Sequence, residues 1–190
     1  MKVEYIVNQV FTTRSYILSS DDGKSAWLVD VGDTDRILER LSPETRVAGV
    51  LLTHVHYDHI YGLPSLSFRF PDCKVFTNEA GLSCLIDTRL NMSRYHDDPI
   101  AYGGDNVVVV KDRDRIRLFD DVFATVYETP GHHPTSLCFR VGDRLFTGDA
   151  YIPGVKVVTT LPGGDKILAK ESLERIKVLA EGLAVLPGHD

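Results

Sequence analysis

A chain of 190 residues with 43% hydrophobic and 25% charged side chains has an ordinary globular balance, which excludes a disordered protein and fits one domain over residues 1–190. Its 21 basic and 27 acidic residues leave a net charge of −6, and without a basic run this excludes broad electrostatic binding of nucleic acid. No apolar stretch approaches the ~20 residues that span a bilayer, and the opening segment lacks the apolar core of a secretory signal. The 3 cysteines, Cys73, Cys84 and Cys138, have no metal-binding spacing and read as reduced thiols, so a cytoplasmic location is expected.

The first third reads as strands. Val3 to Asn8, Arg14 to Leu18 and Ser25 to Val31 are short β-rich runs, the last turned by Asp21-Asp22-Gly23. Gly32-Asp33 opens a helix over Thr34 to Leu41, with Ile37, Leu38 and Leu41 on one face. Val47 to Leu52 is a continuous apolar run, as a strand buried on both faces requires. A short helix follows His59 or begins just before it, and Glu79 to Asp87 reads as another. Further strands are expected at Val107 to Val110, Val122 to Glu128, Ser136 to Val141 and Arg144 to Thr147. A helix over Lys170 to Glu181, stopped by Gly182, precedes a last strand at Leu183 to Leu186. Strands and a helix, then strands and a helix again, predict two sheets face to face with helices outside.

The densest chemistry is Thr53-His54-Val55-His56-Tyr57-Asp58-His59, directly after the buried strand. His54 and His56 are two apart, so an extended segment points both the same way. Asp58 and His59 follow where the chain turns toward a helix. Imidazole and carboxylate together suit Zn²⁺, Fe or Mn. Three later strand ends repeat one pattern: Thr129-Pro130-Gly131-His132, Thr147-Gly148-Asp149 and Pro187-Gly188-His189. Each sets a ligand-type residue beside a glycine, which lets groups crowd a common centre.

This series, THVHYDH, TPGH, GD and PGH in that order, resembles the metallo-β-lactamase superfamily of hydrolases from Trp27 to His189. Leu161-Pro162-Gly163-Gly164-Asp165 and Leu90-Asn91-Met92-Ser93 resemble its glyoxalase II branch, the hydroxyacylglutathione hydrolases. The resemblance implies an α/β fold, the four-layer αβ/βα sandwich of two mixed sheets. It implies two divalent metal ions, zinc by default, with iron or manganese as alternatives. His54, His56 and His132 would bind one ion, Asp58, His59 and His189 the other, and Asp149 would bridge them. A hydroxide held by the metal pair would attack a small thioester or ester, anionic for preference, with Asp58 orienting the nucleophile. Asp149 stands where many zinc β-lactamases carry Cys, which disfavours antibiotic hydrolysis. His56 stands where flavodiiron proteins carry Glu. Full glyoxalase II enzymes continue into a helical domain carrying much of the glutathione site, whereas this sequence stops one residue after His189.

Rival readings share the same motif: a lactonase or phosphodiesterase, a persulfide dioxygenase with one iron, or a metal-binding protein without activity. Tyr57, Tyr151 and Lys156 are candidate substrate contacts. His133 reads as structural, because two adjacent side chains do not both face one centre. His96 reads as a solvated loop histidine. Asp30 and Asp33 are expected to cap the next helix or to orient a ligand.

Overall fold

The computed structural model describes all 190 residues, Met1–Asp190. Strands β1 (Lys2–Val7), β2 (Arg14–Ser19) and β3 (Ser25–Val29) form an antiparallel meander. Beyond β3 the sheet turns parallel: β4 (Arg46–Leu51), β5 (Lys74–Thr77) and β6 (Val107–Val109) add in sequence order. Parallel neighbours need crossovers, and helices α1 (Thr34–Leu38), α2 (Tyr57–Ile60), α3 (Leu63–Arg69) and α4 (Glu79–Cys84) lie in them. The second sheet runs antiparallel through β7 (Arg115–Phe119), β8 (Val122–Glu128), β9 (Leu137–Val141) and β10 (Arg144–Gly148). Helix α5 (Lys166–Leu179) then returns the chain so that β11 (Ala184–Pro187) pairs parallel to β10.

The period of two along each strand sorts side chains between layers. On the inner face Tyr16, Leu18, Trp27, Val29 and Leu51 meet Leu118, Val126, Phe139 and Phe146 of the other sheet. On the outer face Ile17, Ala26, Leu28 and Val50 pack against Ile37, Ile60, Leu63 and Leu66 of the helices. A third cluster, Cys138, Leu145 and Ile176, joins the second sheet to α5. The result is helices, sheet, sheet, helix: the four-layer sandwich of two mixed sheets. Two hydrogen bonds tie the sheets across the core, from Trp27 Nε1 to the Leu118 carbonyl (2.8 Å) and from the Tyr16 hydroxyl to the Pro187 carbonyl (2.6 Å).

Local departures have local causes. Helix α1 ends at Leu38, short of Leu41, because Arg40 and Leu41 take three-residue turn bonds to Ile37 and Leu38 instead. Helix α5 begins at Lys166, four residues before the apolar stripe suggests, because the Asp165 carboxylate accepts from the Ile167 and Leu168 amides. Its first turn is exposed, so no stripe marks it. Strands β5 and β7 have no counterpart in the sequence reading, and where one helix was expected after or just before His59 there are two, α2 and α3. Strand β5 has only four residues, and β7 alternates two arginines outward with Ile116 and Leu118 inward. No helix is long and apolar enough to cross a membrane.

The consequence for function lies at one edge of the sandwich. The parallel pairs β3–β4 and β10–β11 end on the same side, carrying Asp30, the His54–His59 segment, Asp149 and His189 together. The turn after β8 adds His132.

Candidate metal centre

All seven residues singled out by the motifs converge. The nitrogen or carboxylate atoms of His54, His56 and His132 lie within 4.8 Å of one another, as do those of His54, His59 and Asp149, and those of Asp58, His59 and His189. His54 Nε2 and His132 Nε2 stand 3.1 Å and 3.0 Å from His56 Nδ1. Asp149 Oδ1 is 3.5 Å from His59 Nε2, while its Oδ2 is 3.7 Å from His132 Nε2 and 3.4 Å from His189 Nε2. Asp58 Oδ2 closes the other side, 3.3 Å from His189 Nε2 and 3.6 Å from His59 Nε2.

The outward-facing ring nitrogens decide what the inner ones carry. His132 Nδ1 faces the Val158 carbonyl at 2.8 Å, and His189 Nδ1 faces the Phe11 carbonyl at 3.0 Å. His59 Nδ1 meets Asp30 Oδ2 at 2.8 Å. His54 Nδ1 lies 3.3 Å from the Thr53 hydroxyl, which spends its own proton on Asp30 Oδ2 at 2.6 Å. Carbonyls and carboxylates only accept, so each of these four histidines holds a proton on Nδ1 and turns Nε2 inward, the nitrogen that offers a lone pair whenever the ring is neutral. Three nitrogens within about 3 Å, sharing at most one proton at His56 Nδ1, form an arrangement that neutral imidazoles do not satisfy by themselves. At the centre, His59 Nε2 and Asp149 Oδ1 are buried without any hydrogen-bond partner. Such orphaned donors and acceptors are costly unless a cation meets them. The donor set thus fits divalent metal.

Titration follows the same division. Burial, then the neighbouring imidazoles, hold His54 and His56 well below the usual histidine range, and burial also lowers His132. These three are neutral near pH 7 and ready to coordinate. Burial also opposes charge at His59 and His189, but the surrounding carboxylates prevail and push them up to about 9 and about 10. At Asp149 burial opposes the charged form, yet His59, His189 and His132 hold it well below the usual carboxylate range.

Two glycines make the crowding possible. Gly188 has no room for a Cβ, which would overlap Asp149 Oδ1 and His59 Cε1. Gly148 adopts φ +49°, and its Cβ would strike Thr53. Asp30 sits in the left-handed region at φ 58° and is 1% exposed. Its carboxylate accepts from the Thr53 amide at 2.7 Å as well as from Thr53 Oγ1 and His59, so it orients His59 and caps nothing. Asp33 occupies the N-cap position of α1 without capping it; it accepts instead from the Gln9 amide and the Tyr61 hydroxyl.

The remaining candidates divide. His133 is fully buried, bonded through Nδ1 to Thr135 Oγ1 at 2.7 Å, and is not among the residues whose donor atoms converge. Tyr57 lines the cleft of about 350 Å³ that opens over the centre. Lys156 lines a small neighbouring cavity with His132 and Asp149, while Tyr151 packs against the Cys138–Ile176 cluster. His96 is no free loop residue: it is half-buried, stacked on Tyr57 and part of the cleft wall. The carbonyls of Phe11 and Val158 escaped the sequence reading, because every residue carries a carbonyl and only the tertiary fold aims it.

Comparison with known proteins agrees with this geometry. The metallo-β-lactamase superfamily model matches residues 9–189. A hydroxyacylglutathione hydrolase of Hydrogenovibrio crunogenus is 25% identical over 185 residues, covering 93% of this chain and 58% of that protein. The chain thus spans about three fifths of the length of such relatives. The crystal structure of BLEG-1 B3 metallo-β-lactamase superposes with a TM-score of 0.87 at 28% identity, covering 100% of this chain and 92% of that one. TTHA1623 in a di-iron-bound form gives 0.81 at 26%, covering 98% and 92%.

Proposed function

The chain belongs to the metallo-β-lactamase superfamily of metal-dependent hydrolases, and from that premise we propose that it hydrolyses a small thioester or ester at a pair of divalent metal ions. The observation that carries this reading is the convergence of four inward-turned Nε2 atoms, fixed by outward Nδ1 hydrogen bonds, on two carboxylates. His54, His56 and His132 would hold one ion, Asp58, His59 and His189 the other, and Asp149, facing both groups, would bind to each. Similarity to hydroxyacylglutathione hydrolases supports the thioester among acyl substrates. Zinc is the proposed metal, since imidazole and carboxylate donors suit it. The three buried thiols support a reducing, cytoplasmic setting.

When bound, the ions polarise a carbonyl and lower the pKa of a coordinated water toward ~7. The protein's own groups do the rest. Asp58 lines the cleft and accepts a hydrogen bond from the attacking water, turning its lone pair to the carbonyl carbon. Asp149 screens the two cations from each other. Asp30 and the carbonyls of Phe11 and Val158 keep the imidazoles from rotating, so reorganisation during the reaction is small. Two dications would outweigh the two carboxylates, so the reacting end would favour the oxyanion that develops on the carbonyl oxygen.

The test is metal analysis of protein purified without added metal, with turnover of matched thioester, ester, lactone, phosphodiester and β-lactam substrates. The B3 β-lactamase neighbour puts the last class in the panel. Two metal equivalents with preferred thioester or ester turnover is the expected result. One iron per chain with oxygen consumption and no hydrolysis, or preference for another substrate class, overturns the reading.

A further inference from the structure

One wall of the cleft is aromatic, and the metal centre has no need of it. His96 lies flat on Tyr57, with ring centroids 3.8 Å apart and planes 15° from parallel. Phe11, from the β1–β2 connection, approaches His96 edge-on at 5.8 Å and 68°. Two distant stretches of chain thus build one surface. Both are anchored to the centre they overlook. The Tyr57 ring is buried, and its hydroxyl donates to Asp98 at 2.6 Å, which pins the His96 loop to the residue between His56 and Asp58. Phe11 holds a left-handed backbone at φ 51°, an uncommon conformation for a side chain this bulky, and there its carbonyl accepts from His189 Nδ1.

The outermost of these rings is nevertheless left bare. Phe11 is 66% exposed and Tyr95, on the same loop as His96, is 64% exposed. Val158 and Leu161 complete an apolar lining, and the cleft contains no lysine or arginine. Its only charged groups are the histidines and carboxylates at its floor. Lys156 lines only the neighbouring cavity beside His132 and Asp149, so a multiply charged thiol such as glutathione laid against the aromatic wall itself would be desolvated without a cationic partner. A flat apolar group would gain area burial and ring–ring contact at once. A volume of about 350 Å³ accommodates such a ring together with the reacting carbonyl.

We propose that Phe11, His96 and Tyr57 form a specificity subsite for an uncharged aromatic or bulky apolar group attached to the reacting acyl carbonyl. The proposal rests on the hydrolase reading above for the reaction, and on the wall alone for the group selected. Charge selection is then confined to the reacting end of the substrate.

The experiment compares metal-loaded protein with its His96→Ala and His96→Phe variants in two assays. In the first, kcat/KM is measured for an aryl-acyl thioester and an acetyl thioester of the same thiol. In the second, calorimetry measures binding of the matching aryl thioether, which has no carbonyl to hydrolyse. The wild type should prefer the aryl thioester and bind the thioether. His96→Ala should lower both the aryl-to-acetyl ratio and the thioether affinity about tenfold, the scale of a lost ring–ring contact with its area. His96→Phe should restore both. Thioester turnover without aryl preference or thioether binding overturns the subsite and leaves the hydrolase reading standing. Thioether binding that His96→Ala weakens, with no ester or thioester turned over, overturns the hydrolase reading and leaves the subsite standing. Tighter binding of the glutathione thioether than of the aryl one also overturns the subsite.

Discussion

Replacing Asp30 by asparagine should damage the metal centre from outside it. The wild-type carboxylate accepts three hydrogen bonds, from the Thr53 amide, the Thr53 hydroxyl and His59 Nδ1. An asparagine oxygen can keep the Thr53 amide, but its NH₂ then faces the other two donors. Thr53 Oγ1 can turn to accept. His59, once neutral as coordination requires, can accept only by keeping its proton on Nε2, the nitrogen that faces Asp58 and Asp149. The inward lone pair is lost. A charge-assisted hydrogen bond contributes about 1.5–3 kcal/mol, and losing an outer partner of this kind typically costs 10- to 100-fold in metal affinity. Zinc titration of the metal-free variant by calorimetry should show the Asp58–His59–His189 equivalent weakened by about that factor. The His54–His56–His132 equivalent should weaken less. Nitrogen NMR of the imidazoles should show the His59 proton on Nε2. Two equivalents binding as tightly as in the wild type, with the Nδ1 tautomer retained, would refute the tautomer argument.

Asp149→Asn keeps shape and removes the charge facing both groups, so metal affinity and hydrolytic rate should each fall at least 10- to 100-fold, as measured by metal analysis and turnover. Metal binding should also release protons. With His59 and His189 pushed up to about 9 and about 10, both are charged in the metal-free protein near pH 7 and must shed protons to coordinate. Affinity for the ion they would hold should therefore rise with pH until about 10, read from titrations in buffers of different ionisation enthalpy; pH-independent affinity would contradict this. The same raised values stabilise the metal-free fold fully below the ordinary histidine pKa of ~6.5, and that contribution should fade as pH climbs through 9 to 10 in thermal melts. Gly188→Ala should reduce metal content, because its Cβ must displace Asp149 or His59, and melting of the metal-free protein should change less than metal occupancy does.

Much of this molecule is written locally, and local writing is legible. Strand β8 was expected at Val122 to Glu128 and runs over those residues, because alternating apolar residues between turns leave little choice. The seven residues that converge were visible because each follows a strand beside a glycine or sits in one dense run, and a sheet's parallel strands bring such ends to one edge. Strand β5 was not visible: four residues carry too little periodicity, and only a neighbour on each side makes Lys74–Thr77 a strand. What the tertiary structure alone decided is orientation. Which nitrogen of His189, His132 and His59 faces inward depends on a carbonyl at Phe11, another at Val158 and a carboxylate at Asp30, all far away along the chain. The aromatic wall likewise joins Phe11 to His96 across the fold. Composition and spacing record which groups a chain owns, but hydrogen-bond direction is a property of atoms in contact, and those contacts exist only once the two sheets have closed on each other.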